Sequence, residues 1–294
     1  MWDLLTVLFI ALCLGVGFVS VVSTLFVWYE AGNSDGPDGA RALREQFGPP
    51  LKLALRECAM SLASQMLVAL TYPLGLVPRL WPSRPRPGQA SPQAPPVLLV
   101  HGLYHNPAAW IVWRWYLRRA GYHAVYSFAY NSITRDFDAI AADLARCIAA
   151  IHAAHHHAGV RVVGHSLGGL LARACASRPE ARDALRAVVT LGSPHQGSKL
   201  AALAVFRLGR SLVFRGALIQ ALEERESPPA CPCLSLYSPV DNMVTPDAGR
   251  RIGTPGWTET RTAPLNHISL LFAPSVARAA LAFLAQAPSR PSGA

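Results

Sequence analysis

The chain has 294 residues and a formal net charge of +10, with 51% hydrophobic and only 15% charged residues. That length can bury one full-sized α/β core and leave an appendage over; ordinary soluble domains carry about 25% charged residues, so part of this chain is expected out of water. Its six cysteines show no zinc-site spacing, and the chain is too long to need a disulfide framework, so buried thiols are expected.

From Leu4 to Tyr29 no charged residue occurs, an apolar run of 26 residues. Roughly 20 suffice to cross a bilayer. Trp2, Trp28 and Tyr29 bracket the run, as rings at headgroup level do. A cleaved signal peptide wants a basic start and a shorter apolar core, whereas this start offers Asp3 and no Lys or Arg. Residues 1–30 are therefore expected to be an uncleaved, single-pass anchor, with a bacterial inner membrane as its expected location. Arg41 and Arg44 follow it and favour a cytoplasmic side for what comes next, but acidic neighbours leave the side open.

Residues 31–95 are expected to hold an amphipathic helix and a linker. On a helical wheel over 51–70, Glu57, Ser61, Ser64 and Gln65 share one arc and apolar residues fill most of the rest. Such a helix lies in the membrane interface or packs on a neighbouring domain. Pro73, Gly75 and Pro78 argue against a second span. A proline-rich stretch from Trp81 to Pro96 reads as a stiff linker. Between Glu57 and Asp136 there is no acidic residue, while Arg79, Arg84, Arg86, Arg114, Arg118, Arg119 and Arg135 lie inside that window. With no nucleic-acid motif present, anionic lipid is the better partner for this block.

The catalytic domain is expected over 96–294. Val97–Val100 is an apolar run, as in a strand buried on both faces. Further strands are expected at Tyr122–Phe128, Val160–Gly164, Ala187–Leu191 and Pro232–Tyr237. Helices are expected at 107–119, 136–155, Leu167–Ser177 and Ser275–Ala285. Alternation of this kind implies a mostly parallel sheet with helices on both faces.

Gly164-His-Ser-Leu-Gly-Gly169 falls between a strand and a helix. A serine on that turn is strained and exposes its hydroxyl; glycines at 164 and 168 remove clashes, and Gly169 lets the helix pack close. Serine needs a base, and the base an orienting acid. Downstream of Ser166 the histidines are His195 and His267. His267, just before the last helix, is the expected base; His195 is expected to order its turn or line the entrance. Asp241, after the strand ending at Tyr237, is the expected acid, and Asp247 is expected to cap a helix. Oxyanion donors are expected at the backbone N–H groups of Leu167 and of Leu103 in His101-Gly-Leu-Tyr104, with Gly102 permitting the turn. His101 is expected to make a structural hydrogen bond. His155-His-His157 is expected to be a solvated helix end, because consecutive residues cannot share a helix face to clamp a metal.

Val-Leu-Leu-Val-His-Gly-Leu at 97–103, Val-Val-Gly-His-Ser-Leu-Gly-Gly at 162–169, Leu-Gly-Ser-Pro-His-Gln-Gly-Ser at 191–198, Asp241 with Val244, and Asn266-His-Ile268 together resemble bacterial triacylglycerol lipases and related esterases over residues 96–286. The resemblance implies an α/β-hydrolase fold and hydrolysis of lipid or acyl esters, with Ser166, Asp241 and His267 as the triad and Leu103 and Leu167 as oxyanion donors. It also implies that residues 199–226 form a lid, with a core helix as the alternative reading and Gly209 and Gly216 as breaks. An acyltransferase or thioesterase would use the same triad, and a silent membrane-tethered module would be a third reading. Some relatives hold calcium, but no acidic cluster supports one here, and neither metal nor cofactor is expected.

Overall fold

Short apolar runs that alternate with helical segments can hide their backbone polar groups only by pairing side by side. The computed structural model describes residues 2–34, 41, 44–45, 48–84, 95–156 and 158–287. Six strands pair in parallel: β1 (Val97–Val100), β2 (Val125–Phe128), β3 (Val160–His165), β4 (Leu185–Leu191), β5 (Cys233–Tyr237) and β6 (Trp257–Arg261), in the order β2-β1-β3-β4-β5-β6. Alternate residues serve opposite faces. Leu98, Val100 and Val162 pack beneath α4 (Phe137–Ala154) and α5 (Leu167–Ala176), while Val97, Leu99 and Val163 pack beneath α3 (Ile111–Arg119) and α9 (Pro274–Gln286).

Several expected elements differ in detail. The helix at 107–119 starts as a 3-10 turn, Pro107–Trp110, which the Asn106 side chain caps by accepting from Ala108 N–H. The strand at 122–128 begins only at Val125, because Gly121 turns the chain with φ 87°. Strand β6 went unread: it is the sheet edge, with Thr258, Thr260 and Arg261 exposed, so its sequence lacks the apolar run of an interior strand. His155 is no solvated helix end. It is fully buried, and its Nε2 lies 2.8 Å from the Tyr126 hydroxyl; His157 lies outside the described residues.

Two long helices precede the sheet: α1 (Trp2–Ser34) and α2 (Pro50–Thr71). Thr6–Glu30 and Leu51–Leu76 are each long and apolar enough to cross a membrane, with mean hydropathies of 2.4 and 1.3. The two helices pack antiparallel: Gln65 of α2 donates to Ser20 of α1, and Leu53 meets Val27. The polar arc of α2 faces inward. Glu57, Ser61 and Ser64 are buried, while Leu51, Leu55 and Leu70 on the opposite side are more than 60% exposed. Residues 85–94, most of the proline-rich linker, lie outside the described residues. A single turn, α6 (Pro179–Arg182), and two short helices, α7 (Arg207–Ser211) and α8 (Ala217–Arg225), complete the domain.

Candidate active site

Strand β3 ends at His165 and α5 starts at Leu167, so Ser166 alone makes the turn, with φ 54° and ψ −123°. A non-glycine residue holds such a conformation only where its surroundings enforce it. Here they do. A Cβ on Gly164 would lie 2.5 Å from the Gly168 carbonyl oxygen, one on Gly168 2.1 Å from the Val100 oxygen, and one on Gly169 1.8 Å from Ser193 Oγ. Backbone thus rests on backbone at Gly164 and Gly168 and on a side chain at Gly169, and the Ser166 N–H donates to the Leu191 oxygen at 2.9 Å.

Beyond the end of β5, Ser238–Val240 lead to Asp241, which has no exposed surface. Its Oδ1 accepts the N–H groups of Met243 and Val244 at 2.9 and 3.0 Å, which fixes the carboxylate. His267 Nδ1 lies 2.8 Å from Asp241 Oδ2 and 3.0 Å from Oδ1. The His267 backbone is gripped twice: its N–H donates to Asn242 Oδ1 at 2.9 Å, and its carbonyl accepts from His165 Nε2 at 3.1 Å. The rings of His165 and His267 are 4.7 Å apart. Gly192, with φ 56°, joins the segments: a Cβ there would lie 2.9 Å from Asp241 Oδ2 and 3.3 Å from His267 Nδ1, and the preceding residue, Leu191, accepts the Ser166 N–H.

The loop after β1 closes the other side. A Cβ on Gly102 would lie 3.1 Å from Ser166 Cβ and 3.0 Å from His165 Nδ1, so Gly102 serves close approach rather than the turn. The left-handed residue is Tyr104, at φ 59°, whose N–H donates to Ser132 Oγ at 2.9 Å. Leu103 sits between them. Leu167 is the first residue of α5, where backbone N–H groups have no intrahelical acceptor and the helix dipole favours negative charge. Ser166, Asp241, His267, Leu103 and Leu167 therefore lie along one edge of the sheet, at the carboxyl ends of β1, β3 and β5.

Other expectations fall elsewhere. His195 is buried just beyond the end of β4, with Nε2 3.1 Å from Thr190 Oγ1 and its carbonyl accepting from Arg173 at 2.8 Å, so it orders its turn. Asp247 caps no helix through its side chain. It is the first residue of the 3-10 turn Asp247–Arg250 and pairs with Arg250 at 3.0 Å. His101 stacks on Tyr130, donates from Nδ1 to the Gly102 oxygen at 3.0 Å and accepts the Tyr130 N–H at 3.3 Å; burial lowers its pKa to about 4, so it is neutral. In 199–226, Leu208, Leu212 and Ile219 are buried against the core, whereas Leu203 and Val205 are 72% exposed. Gly216 precedes α8, as a break would; Gly209 lies inside α7, pressed towards Tyr104 and Leu103. Among the described residues, no group of three His, Cys, Asp or Glu side chains could hold a metal.

The sequence reading missed His165, Gly192, Asn242 and Asn266 as parts of this site. His165, Gly192 and Asn266 lie inside motifs quoted above and Asn242 stands next to Asp241, but the role of each depends on which loops meet.

Residues 96–222 match the family model described as palmitoyl protein thioesterase. Mature Bacillus licheniformis lipase BlEst2 is 20% identical, with a TM-score of 0.55 over 69% of this chain and 98% of that one. Aspergillus fumigatus lipase B is 18% identical, with a TM-score of 0.59 over 70% and 56% of the two chains. Legionella pneumophila phospholipase PlaB is 16% identical, with a TM-score of 0.55 over 68% and 61%. No curated protein matches the chain. At such identities the solved structures speak for the fold alone, an α/β-hydrolase fold, which agrees with the family model over the part of the chain it matches.

Proposed function

We propose that this chain is a membrane-anchored serine hydrolase that cleaves carboxylic esters of acyl lipids through an acyl-enzyme. Ser166 attacks the carbonyl carbon, and His267 Nε2 takes the hydroxyl proton and returns it to the leaving alcohol. Asp241 holds the imidazole, and the N–H groups of Leu103 and Leu167 receive the oxyanion. Water then adds to the acyl-enzyme, and His267 again moves the proton.

The observation that carries this reading is the 2.8 Å contact between His267 Nδ1 and a fully buried Asp241 carboxylate, beside the strained Ser166 turn. A proton held on Nδ1 leaves the Nε2 lone pair to act as base. Exposed Leu203, Val205 and Phe206, the last edge-on to Tyr104 of the oxyanion loop, suit an acyl chain. Anchoring rests on the length of α1 and on its exposed Leu4, Val7, Leu8, Leu14 and Phe18. The match to palmitoyl protein thioesterase favours a second reading, in which the same machinery releases a thiol from an acyl thioester.

A fluorophosphonate probe should label the detergent-solubilised chain, and Ser166→Ala should lose labelling and turnover while keeping its thermal midpoint. Label surviving that substitution would refute the assignment of the nucleophile. Paired p-nitrophenyl ester and acyl-thioester series of increasing chain length then separate the two readings by kcat/KM.

A further inference from the structure

An apolar helix that only anchors has no need of hydrogen bonds to a catalytic loop, yet α1 makes one. Ser20, Ser23, Thr24, Val27 and Glu30 recur at helical spacing on one face of α1, and all are buried. Glu57, Ser61 and Ser64 form the corresponding face of α2 and are buried too. Asn242, next in sequence to Asp241, inserts between the helices: its Nδ2 donates to Ser23 Oγ at 2.6 Å and lies 3.5 Å from Ser61 Oγ. Its Oδ1 accepts the His267 N–H at 2.9 Å. The amide orientation is fixed by chemistry, because the His267 N–H needs the oxygen and the nitrogen must then face the serines.

A second amide repeats the arrangement. Asn266, just before His267, donates from Nδ2 to the Glu57 carbonyl at 3.4 Å, while its Oδ1 accepts the Ser269 N–H at 3.0 Å and the Ser64 hydroxyl at 3.4 Å. Glu30 of α1 also pairs with Lys199, where the 199–226 segment begins, at 2.8 Å.

We infer that one link out of the α1–α2 hairpin, from Ser23 to Asn242, is a working part of the active site, with Asn242 a positioning residue that ties Ser23 to the backbone of His267. Hydrogen-bonded on both sides, the Asn242 amide holds the loop carrying the base in register with the loop carrying the acid. The polar face of α1 belongs to the catalytic domain and only its other face, with Val21, Val22 and Leu25, is left for lipid. The carboxyl-terminal half of α1 thus seats the acid–base pair against the anchor itself, and a chain cut behind α1 would lose that seat. This inference rests on the hydrolase reading above, and its test separates the two.

The test uses the full-length chain in detergent and a short, soluble p-nitrophenyl ester, so that delivery of substrate from a bilayer plays no part. Ser23→Ala removes the acceptor of the Asn242 amide. Loss of one buried hydrogen bond predicts a fall in kcat of about tenfold with KM little changed. Ser23→Thr keeps the hydroxyl and should restore kcat. Asn242→Ala should lower kcat at least as far, and adding Ser23→Ala to it should cost no more, because both act through one link. Thr24→Ala is the control: its hydroxyl is spent on the Ser20 carbonyl of its own helix, at 2.7 Å, so kcat should hold. Equal kcat for Ser23→Ala and wild type, or an equal fall for Thr24→Ala, overturns the inference. A wild-type chain that neither labels nor turns over overturns the hydrolase reading instead.

Discussion

At the residue scale, the site depends on side chains that are missing as much as on those present. Gly192 has φ 56°, and a Cβ there would lie 2.6 Å from Leu270 Cδ1 and 2.9 Å from Asp241 Oδ2. Gly192→Ala should therefore push the carboxylate off the imidazole and lower kcat by about a hundredfold, a misplacement effect, with Ser166 still labelled slowly by fluorophosphonate. Wild-type kcat in this variant would mean that the Asp241–His267 pair tolerates displacement. Ser166 was legible because its neighbours in sequence are its neighbours in space. Asp241 and His267 were singled out by chain order, a carboxylate after a strand and a histidine before the last helix, and the structure brings their side chains together. Gly192 and Asn242 were not legible, because their roles exist only once the loops after β4 and β5 and the loop before α9 converge.

At the scale of elements, the apolar runs of β1 to β5 announced themselves, while β6 and the inward turn of α2's polar arc did not. A helical wheel reports that one face differs from the other; it cannot tell which face meets protein when the rest is suited to lipid. The segment 199–226 is similar. Its composition fits a lid or a core helix, and beside its buried Leu208, Leu212 and Ile219 one side chain on α5 holds its far end. Arg173, 1% exposed, donates to the His195 carbonyl, ahead of the segment, and to both carboxylate oxygens of Glu226 at its end, at 2.9 and 2.6 Å. Thr254 Oγ1 adds a bond to Glu226 at 2.8 Å. Arg173→Met would strand a buried carboxylate, so stability should fall by about 3 kcal/mol. Protease cutting near the exposed Leu203–Phe206 should quicken. Arg173→Lys should recover only part, since an ammonium cannot reproduce the two-pronged contact. Urea midpoints and a proteolysis time course measure both effects, and an unshifted midpoint for the methionine variant would rule out the clamp.

At the scale of the whole molecule, the carboxyl edge of the sheet is built on neutral histidines, and this sets its response to acid. His101 follows β1, His165 ends β3, His195 follows β4, and His105 stacks 5.9 Å from His165. Burial lowers His101 to about 4 and, with the nearby His101 and His267 adding to it, His105 to about 3. Burial is also the main cause that holds His165 and His195 well below the ordinary 6.5. Unfolding returns each imidazole to an ordinary pKa near 6.5. Above pH 6.5 neither state binds these protons, and their contribution to stability is level. As the pH falls from 6.5 towards 4, the unfolded chain takes up protons that the folded chain refuses, so stability drops. Each group contributes up to about 1.4 kcal/mol per pH unit in that window. With four acting in the same direction, stability should drop through this window, before most carboxylates titrate. Thermal midpoints of the full-length chain in detergent should be level from pH 7 to 8.5 and fall steeply between 6.5 and 5. His195→Asn should lower the midpoint throughout, because Thr190 loses its partner, and should also make the fall shallower by one proton. A level midpoint down to pH 5, or an unchanged slope in the variant, would show that these imidazoles are already charged in the folded chain.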